Sequence, residues 1–191
     1  MSGTRTIVLW ICVITAVTLT ARDVFGQERP SPYADETDRE IKALAPEEVA
    51  GLLDGAGLGF AKAAELNGVP GPRHVLELAL ELTLSDEQRE RLQVVYDRMH
   101  AEAVELGALV VELERELDRV FADRRLTSQE VGRLTSEIGN ARGRLRATHL
   151  VAHLETADVL SSEQIARYGH LRGYSGHAGH EQGHRPEDAP R

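Results

Sequence analysis

Histidine is the residue type in this chain best placed to do chemistry. The sequence holds eight, and His177, His180 and His184 fall in the last fifteen residues, with His170 just before them. Imidazoles three to four residues apart can wrap a borderline divalent ion such as Ni2+, Cu2+ or Zn2+. From Gly173 the chain reads Gly-Tyr-Ser-Gly-His-Ala-Gly-His-Glu-Gln-Gly-His-Arg-Pro-Glu-Asp-Ala-Pro-Arg. That segment has no apolar face to bury, so residues 173–191 are expected to be a disordered tail. Two readings stay open for it: a weak metal-binding tail, or a solvated tail with no partner.

Other chemistries are poorly represented. The single cysteine, Cys12, lies in the apolar leader, so the remainder offers no disulfide, thiol nucleophile or thiolate zinc site. No Gly-rich phosphate loop or recognisable Ser/His/acid grouping is present, and an enzyme is not expected. Carboxylates such as Glu112/Glu116 and Glu114/Asp118 recur at helical spacing and read as solvated faces. The net charge of −9 argues against a nucleic-acid partner and suits cations or basic clients.

The elements that must position the histidines are marked by a repeat. Leu-Ser/Thr-x-x-Gln/Glu occurs at 84–88, 126–130 and 160–164. A Ser or Thr at the N-cap accepts from the backbone N–H three residues on, and a Gln or Glu there reaches back. Ser85/Gln88, Thr127/Glu130 and Ser161/Gln164 all have that spacing. The preceding Leu can staple onto the next turn, as Leu126 on Val131 and Leu160 on Ile165, whereas Leu84 meets only the stem of Arg89.

Between these starts the periodicity is helical. After Ser85 the apolar positions Leu92, Val95, Met99, Ala103, Leu106, Val110, Leu113, Leu117 and Val120 step by three or four. About 38 residues at ~1.5 Å each make a rod of roughly 57 Å. Asp123-Arg124-Arg125 turns the chain. The stripe resumes at Val131, Leu134, Ile138, Ala141 and Leu145, then blurs where Leu150, Val151, Ala152 and Leu154 spread the apolar surface. A last short helix runs from Ser161 to about Leu171, stopped by Gly173. Upstream, Pro46 opens a short helix with Val49, Leu52 and Leu53 on one face, and residues 60–66 add a turn or two. Residues 67–72 break the chain, and a helix is expected from Arg73 to Leu82. No strand pattern appears. The expected class is all-α: a long antiparallel hairpin flanked by short helices, thin enough that it should dimerise or curl into a shallow cradle. His100, alone on the first long helix, reads as a surface or packing residue.

The amino terminus reads as a secretory signal over residues 1–26. Arg5 is followed by an apolar run of about 15 residues, Thr6 to Thr20, against the ~20 of a membrane span. Cleavage after Gly26 is expected, with an uncleaved anchor as the alternative. Cleavage removes Arg5, Arg22 and Asp23, taking the net charge to −10. A polar leader arm, 27–45, then precedes the helical domain, 46–172.

The copies at 84–88 and 160–164, in a secreted all-helical chain with no cysteine after its leader, resemble the Spy/CpxP family of periplasmic chaperones and heavy-metal sensors. That family's motif is Leu-Thr-x-x-Gln. Both copies here carry Ser for Thr, which keeps the capping hydroxyl, and the middle copy has its Gln one position early and does not count. The resemblance covers about residues 45–172 and implies a bent hairpin forming an antiparallel, cradle-shaped dimer. It also implies a periplasmic protein that acts without ATP on misfolded envelope proteins or on a membrane signalling protein. After cleavage no stable membrane insertion is expected. Metal sensors of the family carry a His-x-x-x-His pair before the final motif, which points here to His149 and His153. Spacing of four puts both imidazoles on one helical face. The third ligand of a Ni, Cu, Zn or Co ion would come from Glu155, Glu65 or His74. The N-terminal ligands of the sensor branch are not evident. Three readings stay open: a chaperone or adaptor with metal responsiveness, a metal sensor or buffer with no chaperone activity, and a purely structural coiled-coil protein.

Overall fold

The computed structural model describes residues 30–124 and 127–174. The expected signal segment, Leu126 with its staple, and the tail histidines His177, His180 and His184 lie outside the described residues. Two compact units divide at Asp38. In the first, residues 30–38 hold one 3-10 turn, Ala34–Glu36, flanked by local bonds from Tyr33 N–H to Ser31 Oγ and from the Thr37 hydroxyl to the Ala34 carbonyl. The second unit carries the rest.

Among the described residues six α-helices follow in order: α1 Pro46–Leu53, α2 Lys62–Glu65, α3 Pro72–Glu77, α4 Asp86–Ala122, α5 Ser128–Val159 and α6 Ser162–Leu171. The protein is all-helical, with no strand among the described residues. The long helices α4 and α5 pack on one another as a hairpin, and the short helices flank it. The turn between them closes with Arg124 at φ +54°.

Each long element starts where its capping chemistry sits. The Ser85 and Ser161 hydroxyls accept from Gln88 N–H and Gln164 N–H, and both glutamines reach back to their N-cap amides, giving two complete capping boxes. The middle start is half a box. Thr127 accepts from Glu130 N–H at 3.2 Å, and no return bond from the Glu130 side chain accompanies it. Leu84 is buried, and the Arg89 guanidinium donates to the Leu84 carbonyl at 3.1 Å.

The helix expected over 73–82 ends at Glu77. Beyond it the bonds alternate between tight and α-type spacing, Ala79 N–H to Leu76 O and Leu82 N–H to Leu78 O. The stretch then closes with Leu84 N–H on Ala79 O and Thr83 N–H on Leu80 O, with Thr83 at φ +51°. This is a Schellman-type stop with a β-branched residue in the left-handed position, where glycine is usual. Leu84 thus ends one element and begins the next.

Two apolar clusters hold the unit. The larger joins Leu106, Val110 and Leu113 of α4 to Leu134, Ile138, Ala141 and Leu145 of α5, with Leu52 of α1 and with Ile41 and Leu44 from the stretch before it. Gly107 lets α1 in: a Cβ there would stand 2.0 Å from the Leu52 carbonyl oxygen. Glu114 is buried rather than solvated. Arg142 bonds it at 3.3 Å and bonds Glu48 of α1 at the same distance, tying α1 to both long helices. The smaller cluster gathers Val75, Leu82, Leu84, Leu92 and Tyr168 around the starts of α4 and α6.

The expected blur in α5 has a definite form. The inward seam runs on through His149, Ala152, His153 and Thr156, all buried, while Val151 and Leu154 remain 49% and 60% exposed. Three of these four inward residues are polar while Val151 and Leu154 face out, against the usual amphipathic pattern.

Candidate functional site

The inverted stretch of α5 faces a cleft of about 340 Å3 bounded by residues 54–62, the start of α3 and the first half of α4. His74, His100, His149 and His153 all line it, together with Met99 and Tyr96. Three helices separated widely in sequence, α3, α4 and α5, thus bring four imidazoles to one wall-lined space. The sequence reading missed His100. Its edge-on contact with Tyr96, centroids 5.6 Å apart, sits one turn before the buried Ala103. The signal was its place directly after Met99 on the apolar stripe.

His153 is 8% exposed, and its Nδ1 lies 2.8 Å from the Val69 carbonyl. A carbonyl only accepts, so Nδ1 carries the proton and donates, and the lone pair of the neutral ring is on Nε2. A ring fixed by an Nδ1–H bond to a backbone carbonyl is the orientation metal-ligating histidines commonly have. Gly71 leaves that nitrogen room: a Cβ at 71 would stand 2.5 Å from His153 Nε2.

His149 is 4% exposed and stacks on Phe60, ring centroids 5.8 Å apart and nearly parallel. Its Nε2 is buried without a hydrogen-bond partner. Burial, and then the neighbouring His153 and His100, lower its pKa, so the neutral ring is favoured. His74 is also lowered, by burial first and then by Arg172.

Glu65 is the shared hydrogen-bond acceptor beside the cleft. Its Oε1 accepts from the Tyr168 hydroxyl at 2.6 Å, the Tyr174 hydroxyl at 2.9 Å and Arg172 Nε at 3.3 Å. Oε2 lies 3.9 Å from His153 Nδ1, and His74 Nδ1 lies 3.7 Å from Oε1. Burial and the bond to Glu65 push the Tyr168 hydroxyl well above its ordinary range, so it stays a donor. Glu155 is placed elsewhere. It pairs with Arg98 and borders a separate hollow with Arg144 and Thr148. Among the described residues no three His, Cys, Asp or Glu side chains are gathered as a ready metal cage. The donor set nevertheless fits a borderline ion in part, through two α5 imidazoles with Nε2 unbonded or left room.

Below the cleft the two capping boxes meet. Gln88 Nε2 donates to Gln164 Oε1 at 2.9 Å and to the Val159 carbonyl at 3.0 Å. Gln164 Nε2 donates to Gln88 Oε1 at 3.1 Å and to the Leu82 carbonyl at 3.2 Å. Each Oε1 also accepts from its own N-cap amide. Every donor and acceptor of both amides is used.

A helical hairpin whose ends are locked by two Leu-Ser-x-x-Gln boxes defines the class of protein. The model of the LTXXQ motif family matches residues 72–172, from the start of α3 through the end of α6, and the chain belongs to that family, which contains the Spy/CpxP-like periplasmic proteins. No curated protein and no solved structure matches the chain. Among the described residues no helix is long and apolar enough to cross a membrane.

Proposed function

We propose that this protein is a periplasmic stress-response protein, not an enzyme, that holds misfolded envelope proteins or a membrane signalling partner without ATP and responds to a divalent transition metal. The observation that carries the metal half is the inversion of α5, which sets His149 and His153 inward on a cleft shared with His74 and His100. A buried imidazole nitrogen with no partner is costly unless something completes it.

His149 and His153 would hold the ion, with Ni, Cu, Zn or Co as candidates by donor type. A bound divalent ion supplies positive charge and a cross-link between ligands. The chain's own residues then set the response. His153 is oriented by Val69, Gly71 keeps the space open, and Phe60 backs His149. These groups belong to the α2–α3 region on one side and α5 on the other, so ligation there biases how firmly the short helices close on the hairpin.

The holding activity rests on exposed apolar side chains. Leu80, Val94, Phe121, Val151 and Leu154 are exposed among charged neighbours, a surface suited to weak capture of unfolded chain. A homodimer, as the family resemblance implies, would extend that surface. Light scattering of a heat-stressed client at stoichiometric protein tests this, with and without Ni2+ or Zn2+. Suppressed aggregation that shifts with metal supports the full reading. Suppression indifferent to metal supports the chaperone alone, and metal binding without suppression supports the sensor or buffer.

A further inference from the structure

The cleft is larger than an ion and poorer in donors than an ion needs. His149 and His153 offer two imidazoles, but Oε1 of Glu65 is taken by Tyr168, Tyr174 and Arg172, and Glu155 is turned to Arg98. Two protein donors leave about two positions of a tetrahedral ion open, and more of a six-coordinate one. The space is also far from filled. Its volume of about 340 Å3 falls in the ~300–1,000 Å3 range of pockets for small organic molecules, whereas one water takes only ~30 Å3. An ion with a few waters would leave most of it vacant.

The wall of that space is cationic. Lys62, Arg73 and Arg172 line it against Asp54 and Glu65, in a chain whose net charge is −9. Arg73 is held by Glu77 and Arg172 by Glu65. Lys62 makes no ion pair among the described residues. Its side chain folds back along the glycine loop: a Cβ at Gly59 would stand 3.2 Å from Lys62 Cε and 3.7 Å from Nζ. The α2 wall thus presents an ammonium that no carboxylate claims. The α5 wall presents His149, buried with Nε2 unpartnered, and His153, whose Nε2 faces the room left at Gly71.

We propose that the cleft takes its ion as a chelate with a small hydroxy- or amino-carboxylate, His149 and His153 holding the metal and Lys62 the carboxylate. This deepens the reading of the cleft as a metal site and rests on it. Carboxylate oxygens suit the open positions that two imidazoles leave on a borderline ion. A further carboxylate oxygen accepts from the Lys62 ammonium in a charge-assisted bond, which a neutral chelator could not match. Leu58 and Met99 line the same space and suit a short carbon skeleton. An acidic chain repels a free polyanion, and the charge of the ion offsets that repulsion, so the carboxylate enters with the metal.

The test uses citrate as the probe, because a chelator free in solution competes for an ion, whereas one that shares the site helps to hold it. The chain from Gln27 to Arg191 is titrated calorimetrically with Ni2+, alone and with one equivalent of citrate per ion. Equilibrium dialysis against labelled citrate counts the citrate retained. The same measurements are made on Lys62→Ala and on the His149→Ala, His153→Ala variant, with circular dichroism to check that each is folded. Citrate should raise the apparent affinity for Ni2+ by about 10-fold, and citrate should be retained only when Ni2+ is present. Lys62→Ala should abolish that gain, and the double histidine variant should lose both the gain and the citrate. Citrate that weakens Ni2+ binding, as a competitor does, would overturn the shared site while leaving the metal reading intact. Citrate retained equally without Ni2+, or a gain untouched by Lys62→Ala, would also overturn it. Ni2+ binding indifferent to the double histidine variant, with or without citrate, would overturn both.

Discussion

The side-chain amides of Gln88 and Gln164 bond to each other in both directions, at 2.9 and 3.1 Å, across 76 residues of sequence. Each also completes its own capping box and reaches a backbone carbonyl of the opposite arm at the same end of the hairpin, Val159 for Gln88 and Leu82 for Gln164. The motif glutamine thus does more than begin a helix. It closes the open end of the hairpin, where α4 starts and α5 passes into α6.

A double-mutant cycle follows from that geometry. Gln88→Ala or Gln164→Ala leaves the other amide half-satisfied and should cost about 1–3 kcal/mol. Together they should cost less than the sum, with a coupling of roughly 0.5–3 kcal/mol in urea unfolding. Additive losses would show that each glutamine acts only as a cap.

The three capping hydroxyls should rank unequally. Ser85→Ala and Ser161→Ala remove complete boxes whose glutamines also link to one another, and each should cost about 1–2 kcal/mol. Thr127→Ala removes half a box at the hairpin tip and should cost less, near 0.5 kcal/mol. Equal losses at all three sites would argue that the link between the boxes adds nothing.

Close approach sets the sharpest packing prediction. Gly107→Ala places a methyl where the Leu52 carbonyl stands, so α1 must shift away from α4. The cost should be about 1–3 kcal/mol or more. Gly139→Ala, where an added Cβ meets nothing, should be neutral or slightly stabilising. Equal unfolding midpoints for the two variants would contradict the contact.

Stability should depend on acid through His149. Its folded-state pKa lies below the ordinary 6.5, so the unfolded chain binds the proton more readily. Stability from the neutral ring is therefore present above about pH 6.5 and is lost as pH falls from there through the folded value. His149→Phe keeps a ring against Phe60 and removes the titration. Unfolding curves between pH 5.5 and 7.5 should be shallower in pH for that variant than for the parent. Identical slopes would place the acid sensitivity elsewhere.

Much of the fold was legible in the sequence because its determinants are local. Steps of three and four traced the α4 stripe, and the Ser-x-x-Gln spacing marked two helix starts to the residue. The site was legible only in part. The turn between Thr148 and Leu154 looked like spreading apolar surface because Val151 and Leu154 are apolar, yet it is the histidines that face inward. The place of His100 directly after Met99 hinted at an inward position, but nothing local to it pointed to the space it shares with His149. The linkage of Glu65 to Tyr168 and Tyr174 spans more than 100 residues, and no period in the chain encodes it.

The central claim is that the inward histidines of α5 bind a divalent ion and that this binding alters the protein's conformation. Amide hydrogen exchange across residues 54–77 tests it most directly, with and without saturating Zn2+, in the parent chain and in the His149→Ala, His153→Ala variant. Protection in that segment should rise with metal in the parent and stay unchanged in the variant. Equal protection with and without metal in the parent, or an equal rise in both proteins, would contradict the account.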